Sequence, residues 1–288
     1  MKKKKGVLFL GLFCTFIFLA LIMCTTIGRV SDAENNNLGV KRALVIGNAN
    51  YQNILRPQNP KNDAEDAANV LKQIGFNVEL YFDLNHQQME TAINRFIEKL
   101  SGNKDIEGLI YFAGQGFSIN GQNYIVPVDL RASDSAQIIT GSYAMETLLN
   151  KLSDANNTLN IVIIDACFTK MTLPHFHDHD HRGVVFFPME DQEGQPVESD
   201  GLELLNQFTN DIFYLQSALP GRTALDGAGG RNSPFARALI KNLANPVRFM
   251  DLVKDIMTDT LEYTNRQQHP YFKGNIFIHE EYIINQGV

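Results

Sequence analysis

The order in which short apolar runs and helix-period segments follow one another constrains this chain more than any other feature. Ala43-Leu44-Val45-Ile46 reads as a buried strand stopped by Gly47. A helix is expected from Asn62-Asp63 to about Ile74, with Ala64, Ala67, Ala68, Leu71 and Ile74 on one face and Gly75 ending it. Phe76 to Tyr81 is a second strand, and Gln87 to Leu100 a helix with Met89, Ile93, Phe96 and Leu100 spaced at three and four. Leu109 to Phe112 is a third buried strand, expected to end in Gly114-Gln115-Gly116. Phe117 to Val126 reads as a hairpin turning at Asn120-Gly121. A helix closes over Leu148 to Leu152, and a strand from Leu159 to Ile164 delivers Asp165-Ala166-Cys167. A strand at Ile212–Leu215, helices at Ser233–Leu243 and Val247–Tyr263, and a last strand at Ile276–Ile278 complete the series. Such alternation gives an α/β fold, a mostly parallel sheet flanked by helices. In sheets of this kind ligands bind beyond the carboxyl ends of the strands. Gln115 and Cys167 both fall there.

The two ends of the chain differ in charge. Lys2 to Lys5 precede an apolar run from Gly6 to Ile27 broken only by Thr. Four lysines before such a run form an export signal, with the basic block left on the cytoplasmic side. Residues 6–27 are long enough to span a bilayer, while Ser31-Asp32-Ala33 offers a cleavage site before Glu34. Residues 1–33 are thus either a signal anchor holding the protein on a membrane or a cleaved signal peptide, and residues 34–40 a polar linker. Either way the body from 41 to 284 is expected to be exported, as a membrane-anchored, periplasmic or secreted domain. Beyond residue 33 the chain carries 20 basic and 31 acidic residues, a net of −11. No basic stripe interrupts that excess, which argues against nucleic acid and for a cationic peptide or protein as partner.

Cys14 and Cys24 lie in the apolar segment, leaving Cys167 as the one cysteine of the body. A single thiol forms no internal disulfide, so the core alone must hold the fold together. It is either a small buried core residue or a working thiol. Residues 168–210 read as a long loop, in which His175, His177, His179 and His181 alternate with Phe176, Asp178 and Asp180. That tract is either a solvated loop or a divalent metal site, zinc being the ion imidazoles suit.

Six motifs in order carry a family resemblance: Ala43 to Asn48, Lys61-Asn62-Asp63-Ala64, Tyr111-Phe-Ala-Gly-Gln-Gly116, Gly121 to Asp129, Ile163-Ile-Asp-Ala-Cys167 and Asn232 to Ala236. Together they resemble the caspase-type peptidases, most of all the bacterial metacaspase-like and orthocaspase members, over about residues 43–280. The resemblance implies a caspase-like three-layer sandwich around a six-stranded, mostly parallel sheet. It makes Cys167 the nucleophile, with the Gly116 and Cys167 backbone N–H groups as oxyanion donors. It also assigns Asp63 and Asp165 to holding an arginine or lysine before the cleaved bond. Without it, Asp63 reads equally as an acid favoured at a helix N-terminus, and Asp165 as a strand-end turn residue. Calcium dependence is common in such relatives, but Asp129 is the one candidate ligand here, so no cofactor is carried over.

The sequence departs from the pattern at the second member of the catalytic dyad. Where the family has histidine, this chain has Gln115. A carboxamide donates and accepts hydrogen bonds but does not exchange a proton near neutral pH. Losing general acid–base help costs about 10²–10⁴ in rate. Without an imidazolium the thiol stays near its ordinary pKa of ~8.5. The sequence therefore predicts a degenerate peptidase that binds segments containing Arg or Lys, or that scaffolds an active relative. The other readings are an active cysteine endopeptidase with an unusual base, drawn for instance from His175–His181, and a metal-binding envelope protein built on the histidine tract.

Overall fold

A computed structural model describes residues 40–119, 122–131, 135–170, 212–219, 222, 224–227, 229–274 and 281–285, the side chains of 135 and 167–170 excepted. In chain order these form β1 (Val40–Gly47), α1 (Pro60–Gln73), β2 (Asn77–Phe82), α2 (His86–Leu100), β3 (Ile106–Ile119) and β4 (Gln122–Ile125). There follow α3 (Ser135–Thr140), β5 (Tyr143–Ala144), α4 (Met145–Asp154), β6 (Leu159–Lys170) and β7 (Ile212–Gln216). The last elements are α5 (Pro234–Leu243), β8 (Val247–Arg248), α6 (Phe249–Tyr263), β9 (Tyr271–Lys273) and β10 (Ile283–Asn285). The sheet runs β2-β1-β3-β6-β7-β9. Its first five strands are parallel, and β9 is antiparallel to β7. This is the mostly parallel sheet expected, and β4 and β5 extend it to eight strands through β3.

Strand alternation divides the buried residues between two faces. Ala43, Val45, Leu109, Tyr111, Ile161 and Ile163 pack with α1, α5 and α6. Leu44, Ile46, Ile110, Phe112, Val162 and Ile164 pack with α2 and α4 on the other side. The central strands are therefore continuously apolar over Ala43–Ile46, Leu109–Ala113 and Ile161–Ile164, as a sheet covered on both faces requires.

Several boundaries differ from the sequence reading. α1 begins at Pro60, whose fixed φ suits a first helical position. α2 begins at His86 because Asn85 and Gln88 form a capping box, a signal legible as Asn-x-x-Gln. Val247 and Arg248 leave the helical pattern to pair with β10. β3 and β6 do not stop at Gly116 and Ile164 but run on to Ile119 and Lys170. The extension survives because each strand supplies the other's hydrogen bonds from Gly114↔Ala166 to Ser118↔Lys170, while β4 pairs the outer side of Gly116–Ile119. The hairpin joining β3 to β4 is present, with Ile119 opposite Gln122. The strand expected at 276–278 and the segments 1–33 and 34–39 lie outside the described residues. No helix among the described residues is long and apolar enough to cross a membrane.

α1 rests directly on the end of β1. A Cβ at Gly47 would lie 2.6 Å from Pro60 O and 2.7 Å from the Ala64 Cβ. Both neighbours belong to α1, which also packs against β2, β3 and α5, so Gly47→Ala must push the helix outward. We expect a loss of about 1–3 kcal/mol in urea unfolding, the range for an overpacked core. A midpoint unchanged from the parent protein would contradict this tight seating.

Candidate functional site

The main sheet ends at one level. Gly47 opposite Ala113 is the last pair between β1 and β3, and Ile164 opposite Gln216 the last between β6 and β7. The continuations of β3 and β6 stand beyond that edge, and there Gln115 and Cys167 are direct register partners. Paired positions on neighbouring strands lie about 5 Å apart. The two positions singled out as a dyad are thus adjacent on the backbone, although the Cys167 side chain is outside the described set. Gly116 sits between Ile125 of β4 and Phe168 of β6.

The Gln115 backbone is held by a buried tyrosine. Its N–H donates to Tyr51 Oη at 2.7 Å, and its carbonyl accepts from Val126 N–H at 3.0 Å. Tyr51 Oη in turn donates to Val126 O at 3.3 Å. Glycine is required next door, because a Cβ on Gly114 would lie 2.6 Å from that same hydroxyl. The Gln115 carboxamide is half-buried, and its Nε2 donates to Leu55 O at 3.2 Å. The loop between β1 and α1 therefore lies against the dyad position.

Asp63 and Asp165 come from different elements to the same side of the sheet. Asp165 follows Ile161 and Ile163 in alternation, so it leaves β6 on the face where α1 and α5 pack. Asp63, in the first turn of α1, meets it there. Both are buried, at 2% and 7% exposure. Ser233, the N-cap of α5, bridges them. Its N–H donates to Asp63 Oδ1 at 3.0 Å, and its Oγ donates to Asp165 Oδ2 at 2.6 Å. The same Oγ accepts from Ala236 N–H at 2.9 Å. A third carboxylate, Asp226, accepts from the Asn59 N–H at 3.1 Å and so secures the start of α1. Its charge reaches both members of the pair.

Burial pushes both carboxyl groups above the ordinary range. For Asp63 the charge of Asp165 adds to the effect, and for Asp165 the Ser233 and Ser217 hydroxyls offset part of it. No ion pair reaches either side chain among the described residues. The Tyr111 hydroxyl is fully buried beside the pair, and burial, then the charge of Asp165, holds its pKa well above the ordinary value. Two carboxyls and a phenol are thus buried together at the ends of the strands.

None of the described histidines reaches the dyad position by a hydrogen bond. The His86 N–H donates to Asp129 Oδ1 at 2.9 Å, and the exposed His269 ring pairs with Arg266 O at 3.0 Å. Asp129 thus serves the N-terminus of α2. No group of three or more His, Cys, Asp or Glu among the described residues could hold a metal. His175, His177, His179 and His181 lie outside those residues. Sequence reasoning missed Tyr51, Asp226 and the bridging role of Ser233. The last had a partial signal as a helix cap in Asn232-Ser233, whereas the others act over separations no local pattern encodes.

A family model for the caspase domain matches residues 40–277. Human mucosa-associated lymphoid tissue lymphoma translocation protein 1 is 30% identical over 162 residues, 49% of this chain and 19% of that protein. Its mouse homologue is 29% identical over 162 residues, with the same shares. The chain thus spans about a fifth of the length of these curated relatives. The crystal structure of caspase-1 from Spodoptera frugiperda matches with a TM-score of 0.57 at 13% identity, covering 90% of this chain and 97% of that one. That likeness speaks for the fold alone. With the family model spanning the whole sheet and both halves of the site, the chain belongs to the caspase-domain peptidases.

Proposed function

We propose that this protein is a catalytically degenerate caspase-type domain that binds peptide segments through an arginine or lysine. The observation that carries the reading is the buried pair Asp63 and Asp165, bridged by Ser233 and without a cationic partner among the described residues. A guanidinium brings the charge and the planar array of donors such a pair lacks. Gln115 supports the degenerate half of the proposal, since its side chain has no titratable proton to give a leaving amine. The nearer kinship with metacaspase-like and orthocaspase members, carried by the motif series, belongs to the same proposal. So does export, which rests on the lysine block and apolar run of residues 2–27. The binding partner is a protein with exposed basic segments, or an active caspase-type relative.

Binding separates this reading from the others without requiring turnover. A fluorescent peptide with one arginine is expected to bind at least about 30-fold more tightly than the same peptide with citrulline. The expectation follows from the 2–5 kcal/mol, roughly, that a desolvated charge pair loses when one partner is removed. Equal affinity for the two peptides would refute the cationic pocket. Cleavage of the arginine peptide by the wild-type protein, abolished by Cys167→Ala, would instead show an active endopeptidase.

A further inference from the structure

Leu55 is 72% exposed, the highest value for a large apolar side chain among the described residues. Single exposed leucines are ordinary on protein surfaces. What distinguishes this one is its backbone. Its carbonyl accepts Gln115 Nε2 at 3.2 Å, so the residue stands beside the dyad position. The loop is pinned on both sides of it. Gln52 N–H donates to Val128 O at 2.8 Å, Asn53 Nδ2 to Leu130 O at 3.0 Å and Arg56 Nε to Tyr51 O at 2.7 Å. Further along, the N–H groups of Gln58 and Asn59 donate to the Asp226 carboxylate. Residues 52–59 therefore form a fixed span from the Gln115 position to the start of α1, which carries Asp63. Leu55 is held in solvent upon it.

The chemistry of thiol peptidases fixes which part of a bound peptide it would meet. The group paired with the nucleophile protonates the leaving amine, so it faces the carboxyl side of the bond. On the proposed reading, in which Asp63 and Asp165 hold the residue before the cleaved bond, the basic residue lies on the amino side of that bond. The residue following it is then carried over Gln115 and its neighbour. We propose that Leu55 is a docking contact for an apolar residue immediately C-terminal to the basic one, so that the protein selects segments of basic–apolar sequence. This deepens the proposed function and rests on the cationic pocket.

The test titrates the full-length protein with four fluorescent peptides differing at two adjacent positions: Arg-Leu, Arg-Ser, citrulline-Leu and citrulline-Ser. Arg-Leu is expected to bind about tenfold more tightly than Arg-Ser, the scale of one small apolar contact. Leu55→Ser is expected to remove that preference and Leu55→Met to keep it, with thermal melts confirming that both variants are folded. If Arg-Leu and Arg-Ser bind alike while arginine still outcompetes citrulline, the Leu55 contact is overturned and the pocket stands. If citrulline binds as well as arginine, the pocket fails. A leucine preference that Leu55→Ser abolishes would still support the contact in that case, and its absence would overturn both.

Discussion

Gln115→His is expected to create hydrolysis of an arginyl reporter, raising kcat/KM by about 10²–10⁴ over the parent protein. The scaffold for this gain is in place. Position 115 is the register partner of Cys167, and its side chain already donates a hydrogen bond to Leu55 O at 3.2 Å. An imidazole N–H at that carbonyl would leave the other ring nitrogen available for proton exchange, the tautomer a thiol partner requires. The Tyr51 hydroxyl holds the backbone independently of the side chain, so the substitution should not disturb the strand. Cys167→Ala in the same background must abolish the new activity. A second readout is the pH dependence of alkylation at Cys167. In the parent protein the midpoint should stay near or above the ordinary ~8.5, and Gln115→His should lower it. A parent midpoint well below 8 would mean that some cation already activates the thiol, and the degenerate reading would be wrong. If the histidine variant lowers the midpoint yet stays inert, the fault lies in the oxyanion donors or the pocket, not in the dyad.

Asp165→Asn is expected to move stability and binding in opposite directions. Removing a buried charge should raise Tm at neutral pH, while affinity for an arginine peptide should fall by about 30-fold or more. The pH dependence of the parent protein follows from the same pair. Both carboxyls have raised pKa values in the folded chain, chiefly through burial, so the folded state binds more protons than the unfolded one above the ordinary carboxylate value of ~3.9. Stability from this pair is thus fully present below that value and is lost as pH rises through the folded values. Binding runs the other way. A guanidinium needs the ionised pair and displaces the retained proton, so affinity should increase with pH over the same interval, then level off. Isothermal titration in two buffers of different ionisation enthalpy would count that proton directly. No proton release, with affinity flat from pH 5 to 8, would show that the pair is not where the cation binds. A variant that merely perturbed packing would lower stability and affinity together.

How far the sequence speaks depends on the range over which each interaction acts. Elements with a strong period were legible, including the run to Ile46, the helix face of Met89, Ile93 and Phe96, and the strand before Asp165. Boundaries were less so. β3 looked finished at its glycines because a local window cannot see that β4 and the end of β6 pair with the residues from Gly116 onward. The motif series named Cys167, Gln115, Asp63 and Asp165, and the structure brings them to one edge of the sheet as two adjacent pairs.

The chain's own order of residues determined the layered sheet and the carboxamide at position 115, because periodicity and side-chain chemistry are local properties. Only the tertiary structure decided that Asp63 and Asp165 meet out of water, that Ser233 ties them, and that Tyr51 and Leu55 brace position 115. Those relations join residues up to 170 positions apart, as with Ser233 and Asp63. Burial and its effect on a carboxyl's proton exist only once the helices have closed over the sheet.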